Sequence, residues 1–276
     1  SIAMNRLWLG IVSLMLILMN SFVYAAEGFP GRDNEKYIGV PYIEIKDLRA
    51  RLNTTVVVDT RSKFEFDTLR IKGAINIPVA FDDFEQKIVN LRKRTSNTIV
   101  FYCNGRSCMK SYKATQRAMA VNVSNVFAYD AGIFDWAKAY PNKAVLLGKS
   151  PINVRDIISK KRFKARMLDA DTFSDKATID RSRTAVIDVR DKYQRAGVGF
   201  FPGMEAWASL NDMDKLYKRI RKAQRKNKTI YIYDEVGKQV RWLQYALEKM
   251  GVKKYYFMQK GASGYYHMLV TASYNR

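Results

Sequence analysis

Two cysteines, Cys103 and Cys108, are the residues of this sequence best suited to covalent chemistry. Cys103 directly follows residues 98–102, an apolar and β-branched run typical of a buried parallel strand. Residues 109–120 then have the pattern of a helix. The sequence therefore predicts Cys103 between a strand and a helix N-terminus, where backbone N–H groups stabilise anions, including a thiolate. A nucleophilic cysteine needs such an environment.

The loop that joins this strand to this helix is predicted to bind an anion. Gly105 permits a tight turn, and Arg106 adds positive charge. The predicted loop site consists of Cys103 as nucleophile with Asn104, Gly105, Arg106, Ser107 and Cys108. Two interpretations of Cys108 remain open. It is either a resolving thiol that forms a disulfide with Cys103, or a small buried residue that faces the helix core.

The strand that leads to Cys103 belongs to an internal repeat with a spacing of about 130 residues. Three segments recur in the same order: 56–61, 98–103 and 125–129 resemble 185–190, 229–234 and 254–258. Helical stripes of apolar residues lie between them, in residues 81–94 and 211–226. This alternation predicts an α/β fold with two tandem domains, each a central, mostly parallel sheet flanked by helices, after an N-terminal hydrophobic segment.

The repeat defines the predicted domain organisation. A lead-in covers residues 26–40, the first domain 41–147, a basic linker 148–166, the second domain 167–270 and a tail 271–276. The linker has helical spacing at Val154, Ile157 and Ile158.

The second domain lacks the cysteine, because Asp234 and Glu235 stand where the first domain has Cys103 and Asn104. Asp59 and Arg61 do recur, as Asp188 and Arg190. A structural ion pair explains this recurrence as well as a catalytic role does.

The N-terminus has the features of an export signal. Arg6 precedes an uncharged apolar run, and Val23-Tyr24-Ala25 is suited to signal-peptidase cleavage before Ala26. Residues 1–25 are therefore predicted to be a signal peptide or, if retained, a membrane anchor over residues 7–26. Both versions place the domains outside the cytoplasm, in the periplasm for a bacterial protein, either soluble after cleavage or anchored.

The net charge of +22, from 48 basic and 26 acidic residues, limits the classes of partner. Such an excess attracts small anions, anionic lipid or acidic proteins, whereas export disfavours nucleic acid. Residues 215–228 concentrate this charge and predict a solvated helix face or a docking site for an anionic membrane surface or an acidic protein. With one histidine and two cysteines, neither a metal site nor a cofactor is expected.

Four segments of the first domain together resemble the rhodanese family: Asp59-x-Arg61, residues 73–78, the strand that ends at Cys103, and residues 132–136. The resemblance implies that Cys103 carries a persulfide, that residues 103–108 form the cradle, and that Asp59 and Arg61 support it. It also implies sulfur transfer from a donor such as thiosulfate to cyanide or a thiol. Related cysteine phosphatases have an arginine where this chain has Met109, which disfavours phosphatase chemistry.

Alternatives to an extracytoplasmic sulfurtransferase remain open. One is a non-catalytic rhodanese-like binding or accessory subunit of a membrane-associated complex, because a fold does not fix a function. Another is thiol–disulfide chemistry by Cys103 and Cys108, although their spacing is not Cys-x-x-Cys.

Overall fold

The computed structural model describes residues 28–197 and 199–275. The predictions for the signal or anchor segment and for the start of the lead-in therefore lie outside the described residues. Within the described ranges, no helix combines the length and the hydropathy that crossing a membrane requires.

The described chain alternates short strands with helices. The strands are β1 (Thr55–Asp59), β2 (Leu69–Ile71), β3 (Ile75–Asn76), β4 (Thr98–Tyr102), β5 (Val126–Tyr129), β6 (Ala144–Leu146), β7 (Met167–Leu168), β8 (Thr184–Asp188), β9 (Glu205–Trp207), β10 (Thr229–Tyr233) and β11 (Tyr255–Met258). The α-helices are α1 (Ile45–Ala50), α2 (Lys63–Thr68), α3 (Phe84–Arg94), α4 (Lys110–Ala120), α5 (Gly132–Ala139), α6 (Lys160–Lys164), α7 (Ala170–Thr178), α8 (Lys192–Arg195), α9 (Met213–Arg225), α10 (Val240–Lys249) and α11 (Gly261–Tyr274). Short 3₁₀ turns cover Glu35–Tyr37, Leu52–Thr54, Pro141–Lys143 and Val154–Asp156.

The chain forms two compact units. The first comprises the described residues up to Ser62 together with Ile71–Tyr140. The second comprises Lys63–Arg70 and the described residues from Pro141 onward, so that α2 belongs to it.

The first unit has a parallel sheet in the strand order β3-β1-β4-β5. The central strands β1 and β4 are apolar along almost their whole length, as expected of strands covered on both faces. Phe84, Ile88 and Leu91 of α3 pack into the core beside Phe101 of β4. The helix begins at Phe84 rather than at residue 81, because residues 81–83 form a turn in which Phe81 faces solvent.

The second unit repeats this arrangement with a parallel sheet in the order β7-β11-β10-β8-β9, and β2 pairs with β6 in a small separate sheet. Leu216 and Ile220 of α9 enter its core. The carboxylate of Asp212 accepts a hydrogen bond from Lys215 N at 3.2 Å and caps this helix, which explains why it begins at Met213. The two domains, the α/β class and the parallel sheets predicted from the sequence are confirmed.

The segment between residues 148 and 166 is only partly helical. Val154–Asp156 form a single 3₁₀ turn, and Ile158 leaves the helical path, donating its N–H to the hydroxyl of Tyr245 at 3.1 Å. The regular helix of this segment is α6, which begins where the side chain of Ser159 caps Arg162 N.

Two neighbouring phenylalanines test the packing of the first unit. Phe84→Ala removes a fully buried ring, so we expect the free energy of unfolding to fall by about 3–5 kcal/mol. Phe81→Ala is the matched control, because Phe81 is 60% exposed, and its cost should stay within about 0.5 kcal/mol. Urea denaturation followed by circular dichroism measures both, and equal losses would contradict the packing.

Candidate active site

The structure places Cys103 at the end of β4, as the first residue of the loop that leads into α4. The register aligns Tyr102 with Asp59 of β1 and with Tyr129 of β5, so the carboxyl ends of three strands meet beside this loop. Sites in parallel sheets lie at this edge. The side chain of Cys103 is only 1% exposed.

Cys103 and Cys108 form a disulfide across the loop, with their Cα atoms 6.4 Å apart. Cys108 itself is half-buried, and the loop turns back between the cysteines through a hydrogen bond from Cys108 N to Gly105 O at 3.0 Å. This geometry matches the interpretation of Cys108 as a partner thiol better than that of a core residue. A disulfide-bonded Cys103 has no thiolate, so nucleophilic chemistry requires the reduced pair.

A buried ion pair connects the end of β1 to the loop. The guanidinium of Arg61 donates two hydrogen bonds to the carboxylate of Asp59, at 2.6 and 2.9 Å, and both side chains are inaccessible to solvent. A third bond runs from Arg61 Nη1 to Asn104 Oδ1 at 3.1 Å. Arg61 therefore positions the residue next to Cys103, and the predicted supporting pair does lie at the predicted loop.

Asn76 holds the backbone of the same pair in place, a role that the sequence did not reveal. Its side-chain amide donates to the carbonyl oxygens of Asp59 at 3.1 Å and Arg61 at 2.9 Å. The available signal was its position within residues 73–78, which carry part of the family resemblance.

Arg106 is engaged at the rim of the loop. Its guanidinium forms an ion pair with Asp135 of α5 at 3.0 Å and lies 4.7 Å from the ring centroid of Phe29. The lead-in residue Phe29 also contacts Arg32, at 3.7 Å. Arg32 is anchored by Asp130 at 2.8 Å. The lead-in thus packs beside the loop, a contact that no sequence pattern indicated.

Gly132 explains part of the motif at residues 132–136. Its φ is +82°, and a Cβ there would lie 2.4 Å from the backbone N and Cα of Gly105. The next residue, Ile133, donates its N–H to Cys103 O at 3.0 Å. The start of α5 therefore packs directly against the cysteine loop, while Trp136 is fully buried in the core.

The corresponding loop of the second unit surrounds the carboxylate of one of its own residues, Asp234. Asp234 follows β10, and its carboxylate accepts hydrogen bonds from the backbone N–H groups of Gly237, Gln239 and Val240, at 2.6, 2.8 and 3.1 Å. Burial raises the pKa of Asp234, and the three N–H bonds oppose that rise. The loop backbone can therefore direct three donors at one negatively charged group at the strand end.

The second unit also retains the ion pair beneath its loop. Arg190 contacts Asp188 at 2.9 Å and Glu235 at 3.8 Å, and Asp188 also accepts a bond from Arg195. Burial and acidic neighbours raise the pKa of Tyr233, whose hydroxyl donates to Asp188 and Glu205. Because this pair persists where there is no cysteine, its structural role does not depend on a thiol. Across the described residues, no cluster of three or more His, Cys, Asp or Glu side chains is arranged to hold a metal.

The sequence model of the rhodanese-like domain family matches residues 44–139 and 172–268. The chain belongs to the rhodanese-like family. It has two rhodanese-like domains in tandem, and Cys103 lies in the first of them. No curated protein matches the sequence.

Several solved structures are similar to the chain at low identity. A thiosulfate sulfurtransferase from Pseudomonas aeruginosa is 18% identical over 84% of this chain and 45% of its own, with a TM-score of 0.35. An As-Sb reductase from Leishmania major is 20% identical over 39% of this chain and 86% of its own, with a TM-score of 0.35. A single-domain sulfurtransferase from Saccharomyces cerevisiae is 16% identical over 37% of this chain and 92% of its own, with a TM-score of 0.29.

Gly132 and Gly73 provide a matched test of the packing beneath the loop. Both have a φ above +80°, but a Cβ at Gly73 meets no atom within 4 Å. We expect Gly73→Ala to cost about 1–2 kcal/mol from backbone strain alone. Gly132→Ala should cost a further ~1–3 kcal/mol, because its Cβ would overlap the loop.

Denaturation of the two variants with urea gives both values. The rate at which the reduced proteins react with a thiol reagent reports on the cysteine loop, and only Gly132→Ala should change it. Equal stabilities with unchanged thiol reactivity would contradict close packing of Gly132 on the loop.

Proposed function

We propose that this rhodanese-like protein is a sulfurtransferase whose first domain carries sulfane sulfur on Cys103. The Cys103 thiolate attacks the outer sulfur of thiosulfate, the sulfur–sulfur bond breaks, and sulfite leaves with the bonding electron pair. A persulfide donor would react in the same way and release its thiolate. A thiol or cyanide acceptor then attacks the outer sulfur of the Cys103 persulfide, and the Cys103 thiolate is regenerated.

The observation that carries this proposal is the cradle around Asp234. Three backbone N–H groups hold its carboxylate at the point where β10 enters the loop. Cys103 occupies the matching point after β4, in a loop of seven residues, 103–109, that also leads into a helix, one residue longer than the loop 234–239. We infer that the first loop, once reduced, directs equivalent N–H groups at the thiolate and at the sulfur that it carries.

The buried ion pair of Asp59 and Arg61 holds the Cys103 loop in place. The charge of Arg61 is neutralised by Asp59, while a further bond of its guanidinium holds Asn104. In this proposal Arg61 is a positioning residue and Cys103 is the catalytic residue. The net positive charge of the chain would raise the local concentration of anionic donors.

The second domain does not transfer sulfur in this proposal. Asp234 replaces the thiol, and its carboxylate already occupies the donors that an anionic substrate would need. Glu235, held near Arg190, adds negative charge at the same loop.

The disulfide between Cys103 and Cys108 would make the activity depend on redox state. Two electrons and two protons from a thiol reductant convert it to the active dithiol. The proposed location outside the cytoplasm rests on the N-terminal sequence, and an oxidising compartment there would favour the silent form.

A second candidate function, that of a non-catalytic binding subunit, is favoured by the near-complete burial of Cys103. A buried, disulfide-bonded cysteine is inert, and rhodanese-like folds can present loops to partners without chemistry. The two candidates differ in what the reduced protein does.

A steady-state assay with thiosulfate and cyanide separates them. We expect the reduced protein to give parallel double-reciprocal lines, the sign of a covalent intermediate, and Cys103→Ser to lose the activity. Cys108→Ser should remain active without added reductant, because it cannot form the disulfide. Ser96→Ala, at an exposed position before β4 and outside the loop, is the control and should keep the activity.

A reduced protein with a free Cys103 thiol and no transfer to cyanide or thiols would favour the binding subunit. Full activity in Cys103→Ser would refute the proposed nucleophile.

A further inference from the structure

The second unit contains a cavity of about 300 Å³ that the proposed sulfur transfer does not use. One wall is α9, and the floor is formed by β8 and β9. Residues 184–187 of β8 line it. Among the described residues, none of the Asp234 loop lines the cavity, so the two are distinct features of this unit.

Five cationic side chains surround the cavity, and they come from three separate segments. Arg181 precedes β8, Lys228 precedes β10, and the other three lie along α9 and its C-terminal end: Arg219, Lys222 and Lys226. The spacing of these three, i, i+3 and i+7, places them on one helix face. A solvated helix face accounts for basic residues along α9, but not for the convergence of two further cations from other segments.

The charge at this cavity is of one sign. None of the residues that line it is acidic, within the part of the chain that the structure describes. The cationic side chains around the cavity repel one another and make the electrostatic potential there positive. A bound anion reduces this repulsion.

Apolar residues also line the cavity. They come from β8, from β9 with the residue before it, and from α9: Val186, Ile187, Met204, Ala206 and Ala223. A fully hydrated inorganic ion gains nothing from such a surface, whereas a ligand with an anionic head and a small apolar portion matches both parts. The volume is at the lower end of the range for small-molecule sites, about 300–1,000 Å³.

We propose that this cavity binds a phosphate ester that carries an apolar group. Phosphate accepts several hydrogen bonds and suits arginine's planar fork as well as the point charge of lysine. The head group of an anionic phospholipid and a soluble phosphate ester share this chemistry. The inference is independent of sulfur transfer, because it involves neither Cys103 nor its loop.

Calorimetric titration of the full chain provides the first test, with dihexanoyl phosphatidic acid, dihexanoyl phosphatidylcholine and inorganic phosphate as probes. We expect dihexanoyl phosphatidic acid to bind at least about tenfold more tightly than either of the others, because it alone offers both the anionic head and the apolar part. Raising the salt concentration should weaken its binding.

Two triple variants of α9 then separate the cavity from the general charge. The cavity variant is Arg219→Gln, Lys222→Gln and Lys226→Gln. The control variant is Lys218→Gln, Arg221→Gln and Arg225→Gln, which removes the same charge with the same spacing from residues that do not line the cavity. We expect the cavity variant to lose about tenfold or more in affinity and the control to lose less than about threefold. Circular dichroism and thermal unfolding of both variants establish that they are folded.

Sedimentation with vesicles identifies the source of the ligand. The unmodified chain, the cavity variant and the control variant are each compared on phosphatidylcholine vesicles with and without phosphatidylglycerol. All three share the N-terminal apolar segment, so any binding by that segment is the same in each. Loss of phosphatidylglycerol-dependent binding in the cavity variant alone would identify a membrane lipid. Cavity-dependent binding of the short-chain probe without such a loss would identify a soluble ester. Equal weakening by both triples, or no binding of dihexanoyl phosphatidic acid, would overturn the proposal.

Discussion

Backbone N–H groups of the loop after the central strand hold the residue that opens this loop in the second domain, and the two domains place different residues at that position. In the second domain it is Asp234, whose carboxylate accepts three N–H bonds. In the first domain, Cys103 stands at that position and can supply a negative charge only as a reduced thiolate. The same order of strand, loop and helix thus carries a structural carboxylate in the second domain and a candidate nucleophile in the first.

Beneath both loops, the same interaction fixes the geometry. Arg61 with Asp59, and Arg190 with Asp188, are buried ion pairs at the ends of matching strands. Breaking such a pair would leave an uncompensated buried charge, a cost large enough to explain why the pair persists after the thiol is gone. The glycines at the next helix start, Gly132 and Gly261, persist for a steric reason, because a Cβ at either would strike the loop.

Local sequence patterns were sufficient for the fold but not for every contact at the site. The strand at 98–102 was predicted at its observed bounds, and the repeat segment 229–234 contains the observed strand 229–233, because continuous β-branched and aromatic runs mark buried parallel strands. The role of Asn76 and the packing of Phe29 beside Arg106 were not predicted. These contacts join residues far apart in sequence, and nothing local distinguishes such side chains from solvated ones. The basic run at 215–228 was recognised from the sequence. That Arg181 lines the same cavity as part of this run is visible only in the tertiary structure.

The central claim is that Cys103, and no other residue, carries sulfur. Intact-mass spectrometry of the reduced protein before and after thiosulfate tests it most directly, with Cys103→Ser and Cys108→Ser measured beside it. The account predicts a gain of about one sulfur atom in the native protein and in Cys108→Ser, and no gain in Cys103→Ser. An unchanged mass with thiosulfate and with persulfide donors, in a protein whose Cys103 thiol is free, would contradict it.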